Sequence, residues 1–310
     1  MAANPGAIHP AAAGAPAERP PAVVSRPGLG LRVRRKLPAI GSWLLILLMA
    51  LILFGPVLLL ALFSFNDSSI ISLPWEGFTT KWYDEAFHEA AVRDSVFNSV
   101  IIASVVTVVS LVLGTLASWG LTRLTFSGRG SIGALHGSVL VVPWLIIGVA
   151  GLIFFSELNV DLSLETIALM HIVVTFPLVV AIVSAGLVRF QRSLEEAAID
   201  LGASQLQMLR YVVIPQIAPS LAAAAIFAFA WSFNNFEISF FVGGFDETFP
   251  VWVFSILRQS ENLPLVNAVS TMIAAAQVLA VFGAWALMKR LTRNNGGDEA
   301  LTDILTGGTR

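Results

Sequence analysis

The chain contains no cysteine among its 310 residues, which excludes disulfide bonds, thiolate metal sites and cysteine nucleophiles. Charge is also scarce: 12% of the residues are Asp, Glu, Lys or Arg and 56% are hydrophobic, whereas a soluble domain is about 25% charged. No Gly-x-x-x-x-Gly-Lys-Ser/Thr loop occurs, so the chain cannot bind ATP through a phosphate-binding loop of that kind. This composition predicts an integral membrane protein.

Six apolar segments are long enough to cross a hydrocarbon core of about 30 Å, which takes about 20 helical residues. They are Ala39–Phe63, Ser95–Thr122, Ser131–Ser156, Thr166–Val188, Ala218–Val242 and Asn262–Met288. Pro56, Pro143 and Pro177 fall inside these spans, as hinges or as static bends. We therefore expect an all-α membrane protein with six transmembrane helices.

Polar segments flank the transmembrane domain, which we place at residues 39–290. Residues 1–38 are rich in Ala, Pro and Gly without periodicity, which predicts a disordered N-terminal tail, and residues 291–310 form a C-terminal tail. A cleaved signal peptide is the alternative for the N-terminus, but the apolar run that follows exceeds a signal core of about 7–15 residues.

The distribution of basic residues predicts the orientation. Fifteen of the 18 Lys and Arg residues lie in the N-terminal tail, the 123–130 loop, the 189–216 loop and the C-terminal segment from Lys289 onward, and the others are Lys81, Arg93 and Arg258. The positive-inside rule then places both termini and the 189–216 loop in the cytoplasm. The loops on the other side of the membrane are acidic. They either attract cations or a basic partner surface, or their acids are simply tolerated on that side.

The polar loop at 189–216 has a helical pattern of its own. Its apolar residues at helical spacing are Leu194, Ala197, Ala198 and Leu201. With Ser193 and Glu196 as a capping box, they predict a short amphipathic helix over Ser193–Ala203. We expect Gly202 to turn the chain and Pro215 to interrupt a second helical stretch. A helix lying on the membrane surface is the alternative, which the small Ala residues and the acids disfavour.

The same loop resembles the EAA loop of ABC importer permeases. Glu196-Ala197-Ala198 is followed by three residues and Gly202, and nine more residues lead to Val212 and then Ile214-Pro215. The departures from the family pattern are Val for Ile and Ile for Leu. The resemblance implies the type I ABC importer permease (MetI-like) fold and a coupling role for part of the loop. The implied ATPase-coupling residues are Glu195, Glu196, Ala197, Ala198, Asp200 and Gly202.

The resemblance also implies partners and a location. A second permease subunit would complete a heterodimeric pore, two copies of an ABC ATPase would hydrolyse ATP, and a periplasmic or lipoprotein solute-binding protein would deliver the solute. The implied location is the lipid of the bacterial inner membrane. We expect the chain to have no catalytic residue and to bind no metal, cofactor or nucleic acid. We also expect that it is not itself an enzyme.

Other segments resemble the PotC-type branch of these permeases, which imports spermidine and putrescine. They include Phe65-Asn66-Asp67-Ser68 and Phe241-Val242-Gly243-Gly244. This likeness implies a polyamine substrate. Asn234-Asn235 stands where polyamine-importing members commonly carry adjacent acids, which leaves another small solute as the alternative: an amino-acid derivative, an opine or an organophosphonate.

The candidate substrate path lies near the end of the fifth span, where Glu237 is an acid at membrane depth. Glu237 either lines the path and pairs with an ammonium group, or reaches water near the interface or bonds to a neighbouring helix. Its neighbours Asn234, Asn235, Trp231 and Phe236 either contact a cationic amine or pack between helices. His136 and His171 have no metal-ligand partners at suitable spacing and are expected to be packed or hydrogen-bonded. An ion-coupled transporter, a channel or a membrane enzyme would need more titratable groups within the spans.

Overall fold

The computed structural model describes residues 29–68, 75–259 and 262–294, so residues 1–28 and 295–310 of the two expected tails lie outside the described residues. The described chain is almost entirely helical. Its helices are α1 (Leu29–Phe63), α2 (Lys81–His88), α3 (Ala90–Arg123), α4 (Arg129–Val139), α5 (Trp144–Glu157), α6 (Leu164–Arg189), α7 (Arg192–Asp200), α8 (Gln205–Met208), α9 (Ile214–Phe233), α10 (Glu237–Val242), α11 (Phe249–Gln259) and α12 (Leu263–Asn294).

Five helices in the described residues are long and apolar enough to cross a membrane, and α4 with α5 makes a sixth if the pair is one span. These two helices are bent by 99° at residues 140–143, so the third span is not the continuous helix expected over Ser131–Ser156. Pro143 causes the break because its backbone is extended, with φ −56° and ψ 132°, immediately before α5. Pro177, in contrast, lies within the unbroken α6.

The fifth span also differs from the expected Ala218–Val242. Its helix continues from Gln205 through a π-helical turn at Leu209–Val213 into α9, and it stops at Phe233. The following α10 is a separate short helix. At the N-terminus, α1 begins at Leu29, within the segment expected to be tail, and α12 extends to Asn294, beyond the expected Met288.

The described residues divide into two compact units, with the boundary between Gly55 and Pro56. The described part of the first unit is the beginning of α1, where the large apolar side chains from Trp43 to Phe54 are exposed. The second unit contains α2 to α12 and all three clusters of buried apolar side chains.

The centre of the second unit is formed by α3, α6 and α9. One face of α3 buries small residues at helical spacing, which lets the neighbouring helices approach closely. These residues are Ser95, Ser99, Ala103, Ser110, Gly114 and Ser118. A Cβ atom at Gly114 would lie 2.6 Å from Cγ1 of Val179 on α6, and the Ser118 hydroxyl donates to the Val180 carbonyl oxygen at 3.0 Å. The contact thus fixes α3 against α6 over several turns.

Candidate functional site

The polar loop after α6 forms the predicted short helix, but with a different start. The residue before α7 is Gln191, whose backbone is extended, and Ser193 lies inside the helix. The predicted capping box at Ser193 is therefore wrong, because the extended Phe190-Gln191 link, not a serine side chain, sets the first turn.

Glu195 points from α7 into the helix bundle. Arg123, at the end of α3, donates from Nε to both Glu195 carboxylate oxygens at 2.8 and 3.2 Å, and its Nη2 lies 2.7 Å from Oε1. Nη2 also donates to the Leu187 carbonyl oxygen of α6 at 2.9 Å. The two side chains are only 12% and 7% exposed. A buried ion pair is tolerated when its hydrogen-bonding groups are this well satisfied.

Ala198 is half-buried and faces the bundle, as Glu195 does. The other predicted coupling residues of α7 form an exposed surface: Glu196, which pairs loosely with Arg192 at 3.5 Å, Ala197 and Asp200. Two large apolar side chains extend this surface, because Leu201 is 89% exposed and Leu206 is 73% exposed. We call Glu196, Ala197, Asp200, Leu201 and Leu206 the outer loop surface.

Gly202 ends α7 in the way that the sequence predicts. Its φ of +87° is left-handed, the Gly202 N–H donates to the Ile199 carbonyl oxygen at 2.8 Å, and the Ala203 N–H donates to that of Ala198 at 3.0 Å. This pair of hydrogen bonds is a Schellman motif. No atom lies within 4 Å of a Cβ placed at Gly202, so the backbone conformation, not space, requires glycine.

The chain then enters a second helix without the predicted interruption. Ser204 and Gln207 form a reciprocal capping box, with the Ser204 N–H donating to Gln207 Oε1 at 2.8 Å and the Gln207 N–H donating to Ser204 Oγ at 3.3 Å. Pro215 lies in the first turn of α9, after the π-helical turn. Because proline has no N–H, it removes one hydrogen bond from this continuous helix, and the regular helical pattern changes at the π-helical turn directly before it.

The second candidate region is the break between α9 and α10, at residues 234–236. Asn235 is buried, and its Oδ1 accepts the Ile238 N–H at 3.0 Å, which caps α10. Asn234 is exposed, donates to the Ala230 carbonyl oxygen at 2.7 Å and accepts from Gln277 of α12 at 3.2 Å. The two asparagines therefore have different roles, and only Asn234 faces outward from the bundle.

His171 of α6 joins the two helices on either side of this break. Its Nδ1 lies 2.9 Å from Ser232 Oγ at the end of α9, and its Nε2 lies 3.2 Å from Ser239 Oγ in α10. Because the Ser239 hydroxyl already donates to the Asn235 carbonyl oxygen at 2.8 Å, it accepts from the Nε2–H of His171. Nδ1 is then the acceptor for Ser232. The expectation of a hydrogen-bonded histidine is confirmed.

His136 is likewise a packed, hydrogen-bonded histidine, as expected. Its Nδ1 lies 2.7 Å from the Ile132 carbonyl oxygen within α4, and its ring centroid is 5.1 Å from that of Phe176. Neither histidine belongs to a group of potential metal ligands among the described residues.

Glu237 is the first residue of α10. The sequence predicts instead that it belongs to a continuous fifth helix. Its side chain is half-exposed, and no Lys or Arg in the described part of the chain lies within ion-pair distance. The backbone beneath it is held by α5, since a Cβ at Gly148 would lie 3.0 Å from the Glu237 carbonyl oxygen. The backbone at Glu237 is thus fixed by packing, and its side chain is partly accessible.

Aromatic side chains surround the break. The ring of Trp231 packs edge-to-face on those of Trp144 in α5 and His171, with centroid distances of 5.3 and 5.5 Å. Its buried Nε1 has no hydrogen-bond partner among the described residues. Phe236 packs on Phe254 of α11 at a centroid distance of 4.8 Å. Four of the five predicted path residues are therefore half-buried or exposed around one backbone break, and Asn235 is the buried exception.

The sequence alone does not identify Arg123 as a site residue, because it is one basic residue at the end of a predicted span and its partner Glu195 lies 72 residues further along the chain. Gln277, like Asn234, is a polar residue within a span, which the sequence allows either to contact the substrate or to pack between helices. The structure pairs these two side chains in a tertiary contact over 43 residues, which no local pattern predicts.

Residues 137–295 match the sequence model of the family described as "Binding-protein-dependent transport system inner membrane component". The chain is 33% identical over 265 residues to the putrescine transport system permease protein PotI of Escherichia coli K12, covering 82% of this chain and 94% of that protein. It is 29% identical over 247 residues to the spermidine/putrescine transport system permease protein PotC of the same strain, covering 79% and 93%.

Solved structures agree at the level of the fold. A bacterial ABC transporter involved in the import of the acidic polysaccharide alginate matches with a TM-score of 0.67 and 14% identity, covering 85% of this chain and 99% of that one. The MetNI methionine ABC transporter matches with a TM-score of 0.55 and 17% identity, covering 69% and 100%.

The chain therefore belongs to the family of binding-protein-dependent transport system inner membrane components. It is a multi-span permease of the ABC importer class, and its similarity to PotI and PotC confirms the predicted branch. These relatives are transport permeases and not enzymes, which agrees with the expectation that ATP hydrolysis takes place in another subunit.

Proposed function

We propose that this permease conducts a polyamine, putrescine or spermidine, across the inner membrane. The observation that carries the proposal is the 33% identity to a putrescine permease over 82% of the chain. The unpaired, half-exposed carboxylate of Glu237 supports it, because an ionised acid at membrane depth is costly unless it faces a cavity or a cation. We place Glu237 on the path as the partner of a substrate ammonium group.

Asn234, Trp231 and Phe236 complete the proposed path around Glu237. Asn234 and Gln277 place a pair of hydrogen-bonded amide groups on an exposed face. Polar groups that face lipid are unfavourable, so we assign this face to the substrate path. Phe236 offers a ring face to an ammonium group. Asn235 contributes indirectly, as the cap of α10.

The outer loop surface is the proposed contact with an ABC ATPase. Exposed Leu201 and Leu206 would fill an apolar groove, and Glu196 is available for a basic residue at its edge. We infer a pore shared with a second permease subunit, two ATPase copies, and a solute-binding protein on the opposite side of the membrane. Both termini and α7 then lie in the cytoplasm, as the distribution of basic residues indicates.

The proposal is tested by the ATPase activity of the reconstituted complex with its solute-binding protein. The panel contains putrescine, spermidine, a neutral amino-acid derivative and an organophosphonate at matched concentrations. We expect hydrolysis to rise with the polyamines alone. Stimulation by an anionic or neutral solute without a polyamine response would contradict the substrate and leave the importer class intact.

A second candidate is a small solute that is not a polycation, and Asn234 is the observation that favours it. An exposed amide stands where an acid would bind an ammonium group more strongly. The neighbouring Asn235 does not add to this argument, because its buried side chain caps a helix.

A further inference from the structure

We propose that Arg123 is a positioning residue that makes α7 move together with the ends of α3 and α6. The proposal rests on the proposed coupling of α7 to an ATPase, and it assigns Glu195 to the same internal connection. The guanidinium of Arg123 binds the Glu195 carboxylate of α7 and the Leu187 carbonyl oxygen of α6, while its own backbone belongs to α3. One side chain therefore connects three helices.

Without this residue, α7 has few connections to the bundle. The helical segments closest to α7 are α8 and the π-helical turn, which follow it in the chain. Its connection to α6 is the short extended link at Phe190 and Gln191, and a link of this kind can bend. Ala198 is its half-buried apolar contact with the cluster that contains Val213. A push on the outer loop surface would then rotate α7 without moving α3.

Burial separates this ion pair from the other one in the loop. Arg123 and Glu195 are held in a single arrangement, and the guanidinium also lies 5.7 Å from the ring of Trp119. Arg192 and Glu196, in contrast, form an exposed pair within α7, with side chains 68% and 65% accessible. Exposed pairs of this type contribute little and are easily broken. The second pair is thus a control matched in charge and location.

The connection reaches the substrate path through α6. That helix runs without interruption from Leu164 to Arg189, and it carries Leu187 at one end and His171 nearer the other. His171 holds Ser232 and Ser239 on either side of the break next to Glu237. Movement of α7 against Arg123 would therefore be transmitted as a displacement of the elements around the path.

The test uses the full complex of permease, ATPase and solute-binding protein in proteoliposomes, with putrescine as the solute. ATP hydrolysed and putrescine accumulated are measured together for Arg123→Gln, Glu195→Gln and the control Arg192→Gln. We expect both variants of the buried pair to keep the ATPase bound and its basal hydrolysis intact, but to consume several-fold more ATP per solute. The Arg192→Gln variant should match the wild type.

A cross-link tests the same point if Arg123→Gln folds poorly. Because the chain contains no cysteine, Arg123→Cys with Glu195→Cys places the only two thiols of the permease at the proposed connection. A short bifunctional thiol reagent should restore the ratio of ATP to solute, and it should not do so for either single cysteine variant. Failure of the cross-link to restore coupling in a folded complex would overturn the proposal.

Other outcomes of these measurements would also overturn the proposal or the function on which it rests. An unchanged ratio in Arg123→Gln would show that Arg123 is not needed for transmission, and loss of the ATPase from that variant would show that the pair serves docking. The proposed substrate is tested separately: it is contradicted if the wild-type complex responds to another solute. The ratio of ATP hydrolysed to solute accumulated is then measured with that solute. A wild-type complex that binds no ATPase would overturn both proposals.

Discussion

A methyl group added at Gly148 tests whether α5 sets the position of Glu237. The new Cβ would lie 3.0 Å from the Glu237 carbonyl oxygen, 3.1 Å from Cδ2 of Phe241 and 3.2 Å from Cα of Ile238. Two of these three atoms are backbone, which cannot rotate away, so α10 itself must shift by a few tenths of an ångström. The expected effect of Gly148→Ala is therefore a displaced path residue and not only a local repacking.

The magnitude follows from overpacking, which costs about 1–3 kcal/mol in a tightly packed site. Alanine also regains about 1 kcal/mol of helix propensity relative to glycine, so a control with the same gain is needed. Gly120→Ala provides it, because Gly120 lies in α3 and a Cβ there has nothing within 4 Å. The two variants should differ by the overpacking cost, with Gly148→Ala the less stable.

The assay has two parts, thermal unfolding in detergent and putrescine uptake at equal membrane abundance. A difference of 1 kcal/mol corresponds to about 2–4 °C in Tm for a domain of about 150–250 residues. We expect Gly148→Ala to have the lower Tm and weaker uptake, with its ATPase still bound. Equal Tm and uptake in the two variants would refute the close contact between α5 and α10.

Substitutions at three other positions test the loop and the break. Gly202→Val puts a β-branched residue at a φ of +87°, which costs about 1–3 kcal/mol. Asparagine tolerates left-handed backbone, so uptake should fall further in Gly202→Val than in Gly202→Asn. Equal uptake in the two variants would contradict this account. Glu237→Gln should raise the putrescine concentration for half-maximal uptake, and unchanged kinetics would remove Glu237 from the path. Asn235→Ala leaves the Ile238 N–H unsatisfied at a cost of about 1–3 kcal/mol, whereas Asn235→Ser keeps a neutral acceptor; calorimetry that finds the same Tm for both would exclude the cap.

Local patterns predicted the family and the turn at Gly202. The Glu-Ala-Ala pattern with Gly202 and Ile214-Pro215 is contiguous in the chain, and positive φ at a glycine after a short helix follows from the helix end alone. The apolar segments were likewise readable from the sequence, because a span needs only length and hydropathy.

The breaks within the spans were not predicted, since hydropathy does not report backbone direction. Pro143 was visible, but a proline inside a span is compatible with a mild bend as well as with a bend of 99°. Asn235 gives no clear signal either, because an asparagine within a span can pack between helices or cap a helix. The role of Asn235 decides whether Glu237 lies within the fifth helix or at the start of α10.

The inward direction of Glu195 depends on a contact that no local pattern contains. Glu195 and Glu196 are adjacent and chemically alike, yet Arg123 lies 72 residues before Glu195 and binds it alone. On an isolated amphipathic helix, both acids would be expected to face water. Only the packing of α3 beside α6 brings a guanidinium to one of them.

The central claim is most directly tested by uptake of labelled putrescine into proteoliposomes that contain this permease, its partner subunits and the solute-binding protein. We predict accumulation against a gradient that requires ATP on the side facing α7 and is unaffected when ion gradients are collapsed. Accumulation that survives removal of ATP would contradict the coupling mechanism, and ATP-dependent accumulation of a different solute with no putrescine uptake would contradict the substrate.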